Sequence, residues 1–60
     1  MTEKQQKFAD EYIISLNATQ AYKKAYPNVK KDATARVCAS QLLTNPNVKA
    51  YIDERLEKLK

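Results

Sequence analysis

The apolar residues Phe8, Ala9, Tyr12, Ile13 and Leu16 recur at spacings of three and four, and the same period returns in three later segments. That spacing gathers them along one side of a helix, whereas a strand needs strict alternation, which no stretch of the chain shows. The sequence therefore predicts an all-α fold, a small bundle of four helices.

The helix boundaries are also written in the sequence. Thr2, with Gln5 three residues on, has the form of a capping box and opens the first helix. Asn17 and Gln20 repeat that spacing at the start of the second, whose inner stripe is Ala18, Ala21, Tyr22 and Ala25. Three alanines on this stripe permit close helix approach. Pro27 ends the helix, because proline disfavours the helical region for the residue before it. The segment PNVKK at 27–31 reads as a turn.

The third predicted helix runs over 32–43, with Ala35, Ala39, Leu42 and Leu43 on its inner side. Ala33, Val37, Ser40 and Gln41 point broadly the other way, with Thr34 and Arg36 on the flanks. Asn45 is a strong N-cap and Pro46 is favoured at the first helical position, so a fourth helix starts there. Its stripe is Val48, Ile52, Leu56 and Leu59, and Lys49–Asp53 and Glu54–Lys58 read as exposed ion pairs. Leu42 is expected to be buried at the corner between the third and fourth helices.

Composition narrows the function. Sixty residues make a single domain, 1–60, with a small core. The chain has no histidine, the commonest general base and metal ligand. It has no glycine, which the phosphate-cradling P-loop and the dinucleotide fingerprint both need. The single cysteine, Cys38, cannot close an internal disulfide and reads as a small, partly packed helix residue suited to a reducing compartment. These residues support neither an enzyme, nor a metal site, nor a cofactor. No signal peptide is visible, and no apolar run approaches the roughly 20 residues that span a bilayer. Tyr12, Tyr22, Tyr26 and Tyr51 are expected at the core edge with their hydroxyls at the surface.

The charge is unevenly spread. The net charge is +4, yet residues 17–49 alone carry +5, against −1 in residues 1–16 and zero in residues 50–60. A basic middle segment suits a polyanion. In that segment two short consecutive helices are joined by a brief turn, the layout of a helix-turn-helix, whose second helix enters the major groove. Thr34, Arg36, Ser40 and Gln41 give that helix a small, polar outer side; glutamine can pair with adenine and arginine with guanine. Lys23, Lys24, Lys30 and Lys31 supply the phosphate-facing charge. These eight residues form the expected DNA-binding set.

Several of these segments also occur together in one family. NATQA at 17–21, TARV at 34–37 and ASQLLTNPNV at 39–48 resemble the N-terminal domain of the small terminase subunits of tailed double-stranded DNA phages, as does the opening TEKQQKFADEYI at 2–13. Leu-Leu followed after one residue by Asn-Pro, in register with Asn-Ala-Thr-Gln upstream, is the most specific part. The resemblance implies a helical bundle containing a helix-turn-helix that recognises the packaging start site on phage double-stranded DNA in the host cytoplasm. For the full-length protein, though not for these residues, it implies self-oligomerisation and hand-over of DNA to the large terminase subunit, which holds the ATPase and nuclease. It places Thr34, Arg36 and Gln41 on or near the recognition helix. It also implies that the chain is the N-terminal part of a longer protein. The chain departs from the family at AYPNVKKDA, 25–33, where a glycine and a short serine-rich turn are common. The residues alone also fit a helix-turn-helix transcription regulator, or a helical protein-interaction module with a basic face.

Overall fold

A computed structural model describes residues 1–58, which form four helices: α1 (Glu3–Ser15), α2 (Ala18–Ala25), α3 (Asp32–Thr44) and α4 (Pro46–Lys58). No strand occurs among the described residues, so the fold is an all-α bundle. Leu59, expected on the α4 stripe, lies outside the described residues.

The caps form where the sequence places them. Thr2 and Gln5 exchange two side-chain–backbone hydrogen bonds, each 3.1 Å, completing the capping box of α1. At α2 only one half forms: the Gln20 amide donates to Asn17 Oδ1 at 3.1 Å. Asn45 Oδ1 accepts from the Asn47 and Val48 amides at 2.9 and 3.4 Å, and Pro46, with no amide hydrogen to satisfy, takes the first position of α4. The α3 helix extends to Thr44, one residue beyond the sequence expectation, before Asn45 leaves the helical region.

Leu16 departs from the sequence expectation. It does not continue the apolar stripe of α1 but caps the helix at φ 55°, ψ 25°, with its amide donating to the Tyr12 carbonyl at 2.6 Å. Its side chain is 64% exposed. Only Leu16 and Asn17 separate α1 from α2, so the chain must reverse at once. A left-handed residue makes that reversal, and with no glycine in the sequence a leucine bears the steric cost.

Each helix packs on its neighbours in sequence, and α4 closes back on α1. The core unites Phe8, Ala9, Ala21, Ala25, Ala39, Val48 and Ile52; among the described residues only Phe8 and Val48 are large side chains that are fully buried. Buried alanines on α1, α2 and α3 let the backbones approach closely. Around them the tyrosines sit at the core edge as expected: Tyr22 packs edge-on to Phe8 and stacks on Tyr26 at 4.3 Å. Tyr51 of α4 donates a 2.6 Å hydrogen bond to Asp10 of α1, with the Arg55 guanidinium 3.6 Å from its ring centre. Leu42 and Leu43 are half-buried against this core, so Leu42 is less enclosed than its position in the stripe implies. The Glu54–Lys58 pair forms at 3.4 Å, while Lys49–Asp53 is not an ion pair among the described residues.

Candidate nucleic-acid interface

The basic segment is organised by α2, a six-residue connection (26–31) and α3, which pack directly on one another. Tyr26 leaves the helical region one residue before Pro27, as that proline requires, and the Val29 amide closes a turn onto the Tyr26 carbonyl at 2.9 Å. The succession of two packed helices and a short connection is compatible with a helix-turn-helix.

The α3 helix turns two of its three alanines inward. Ala35 and Ala39 are both fully buried. Thr34, Arg36, Ser40 and Gln41, the four α3 residues expected to face DNA, are all exposed. At about 100° per residue, Thr34, Ser40 and Gln41 lie within roughly 60° of the outward direction, and Arg36 lies near the edge. The structure thus brings these four to one side of one helix.

The lysines divide into two pairs. Lys30 and Lys31 are exposed in the connection just ahead of α3, and neither is in an ion pair among the described residues. Lys31 is the N-cap residue of α3, and its ammonium group, which has no acceptor atom, makes no side-chain cap there. Lys23 and Lys24 instead meet carboxylates. Lys23 Nζ lies 2.6 Å from Asp32 Oδ1 and its side chain is 29% exposed. Lys24 Nζ lies 3.5 Å from Glu11 Oε2 and remains largely exposed.

The Lys23–Asp32 contact joins the second half of α2 to the first turn of α3. The hydrogen bond and the nearby positive charge hold the Asp32 carboxyl below its ordinary range. Asp32 is also the only acidic residue between positions 17 and 49. Its partner, nine residues away, lies at no helical spacing, so nothing in the residue pattern signals the contact. Beside it, Asn17, Thr19, Gln20, Asp32, Ala33 and Arg36 line an open groove of about 500 Å³ between the starts of α2 and α3.

Beneath the interface, Tyr22 has its phenol pushed up to about 12, first by burial and then by Cys38 beside it. Cys38 is half-buried, in keeping with a partly packed helix residue. The described residues hold no cluster of metal-ligating side chains, and no helix among them is long and apolar enough to cross a membrane.

Comparison with known proteins fits this arrangement. A family model described as terminase small subunit matches residues 1–60. The terminase small subunit of Staphylococcus phage 80alpha is 48% identical over 59 residues, which cover 98% of this chain and 39% of that protein. The chain therefore spans about two-fifths of the length of this curated relative. No solved structure matches. A family match along the whole chain, joined to nearly one shared residue in two with a curated member, shows that the chain belongs to the terminase small subunit family.

Proposed function

We propose that this chain is the DNA-binding domain of a terminase small subunit, reading duplex phage DNA with α3 at the packaging start site. The observation that carries the reading is the pairing of an exposed, largely uncharged α3 face with Lys30 and Lys31 at its entrance, neither of them in an ion pair among the described residues. A helix that enters the major groove needs small polar side chains at its surface and cations where the backbone passes. Thr34, Ser40 and Gln41 supply the first, and Arg36, Lys30 and Lys31 the second, with Arg36 also able to reach guanine. Lys24 adds charge at the α2 side, and Lys23 links α2 to α3 through Asp32.

In the full-length protein this domain would act within a self-assembled oligomer that presents the bound DNA to the large subunit in the host cytoplasm. The domain itself carries out no chemistry on this reading. Duplex binding titrated at two salt concentrations tests it. Lys30→Ala and Lys31→Ala are expected to weaken binding to all sequences alike and to reduce the salt slope by about one unit for each phosphate no longer neutralised. Unchanged binding and an unchanged slope in both variants would sink the assignment of this face.

A further inference from the structure

Val37 is 57% exposed in the middle of α3. At about 100° per residue it points directly away from the buried pair Ala35 and Ala39, so it occupies the centre of the outward face. Within about 60° of it stand Ala33, Thr34, Ser40, Gln41 and Thr44, none of them charged. The only charged residues of α3 are Asp32 in its first turn and Arg36, about 100° from Val37 at the edge of the strip. The face is thus a narrow uncharged strip with a branched apolar side chain at its centre, Arg36 at one edge, and Lys30 and Lys31 ahead of its start.

Neither local structure nor packing accounts for valine there. A β-branched residue is a poorer helix former than alanine, and the core makes no use of Val37. A major-groove floor does offer an apolar partner. Thymine is the one DNA base that presents a methyl group there, and it is read by apolar side chains. Gln41 stands one turn further along the same side, where its amide can pair with an adenine edge.

We propose that Val37 determines sequence preference by contacting the C5-methyl of a thymine, so that the preferred site contains an A·T pair beneath the middle of α3. This rests on the DNA-binding reading of α3 given above. The contact is apolar and carries no charge, so it adds discrimination without adding to the salt dependence.

The test begins by selecting preferred duplexes from a random-sequence pool. The selected duplex is then remade with uracil replacing each thymine in turn, which removes only the methyl. Wild type is expected to bind about fourfold more weakly when one particular thymine is replaced, the scale of one buried methylene. Val37→Ala is expected to lose that discrimination while melting at or slightly above the parent, since the side chain is exposed and alanine is the better helix former. Wild-type indifference to uracil at every thymine overturns the inference and leaves DNA binding standing. An equal uracil penalty in Val37→Ala, or a selected pool with no base preference, does the same. Failure to select any duplex overturns the DNA-binding reading and the inference with it.

Discussion

Lys23 Nζ of α2 and Asp32 Oδ1 of α3 lie 2.6 Å apart, so one lysine of the basic segment is engaged by a carboxylate of the helix that carries the candidate DNA-facing residues. The inner side of α3 is fixed by the burial of Ala35 and Ala39, and this largely exposed contact adds one link at its first turn. A carboxylate in the first turn also favours the helix, since it faces the positive end of the helix dipole.

The pH dependence of stability follows from the direction of the Asp32 shift. Its folded carboxyl sits below the ordinary value of 3.8, so its contribution is present above that value and is lost as pH falls through the folded value. Lys23→Met keeps the stem and removes the partner. Melting temperatures of wild type and Lys23→Met are expected to differ near about pH 6 and to converge in strong acid. A difference that persists undiminished at low pH would show that the variant loses packing instead of the ion pair.

The alkaline side is governed by Tyr22. Its phenol is raised from 10.0 to about 12 in the folded chain, chiefly by burial. A raised value contributes stability that is complete below the unfolded value and lost as pH rises through the folded one, here between 10 and about 12. Tyr22→Phe removes the titrating group and should flatten that limb of the stability curve. An unchanged alkaline midpoint in Tyr22→Phe would assign the transition to another group.

Leu16 offers a route to greater stability. It occupies the left-handed region with its side chain mostly in water, so Leu16→Gly relieves the steric cost and forfeits little burial. Relief of about 1–2 kcal/mol is offset by about 0.5–1 kcal/mol for the greater freedom of glycine in the unfolded chain, leaving a gain of up to about 1.5 kcal/mol. Chemical denaturation of the variant measures this directly, and a lower midpoint than the parent would contradict it.

Core substitutions should rank by enclosure. Phe8 of α1 is fully buried against α2, and Phe8→Ala is expected to cost about 3–5 kcal/mol, enough to unfold a domain of this size. Leu42→Ala should cost about 2 kcal/mol, the lower end of the usual range, because Leu42 is only half-buried. Equal losses at the two positions would mean that Leu42 closes the core more tightly than its exposure indicates.

Much of this architecture is legible in the sequence because it is decided locally. Thr2, Asn17, Asn45 and Pro46 start helices through contacts reaching three residues or fewer, and the periods of Ala35, Ala39, Val48 and Ile52 set the inward faces. Leu16 misleads because its apolar character and spacing fit the stripe, while a backbone demand imposed by the two-residue connection overrides both. The Lys23–Asp32 and Tyr51–Asp10 contacts leave no trace in the residue pattern, because they join residues brought near only by the fold. In the candidate site, exposure of Thr34, Arg36, Ser40 and Gln41 follows from helical phase alone. The central place of Val37 is readable from that same phase, but an apolar residue does not stand out in a search for hydrogen-bonding groups.

Whether α3 and the residues just ahead of it form the DNA face is decided by backbone-amide chemical-shift mapping with a short duplex at low salt. Perturbations are expected to concentrate at Lys30, Lys31 and the outward α3 positions Ala33, Thr34, Val37, Ser40 and Gln41. The α1–α4 side should stay unperturbed, including the largely apolar groove lined by Asp10, Ile13, Ile14, Arg55 and Lys58. Perturbations confined to that groove would contradict the α3 face, and no perturbation at all would contradict DNA binding and favour a helical protein-interaction module.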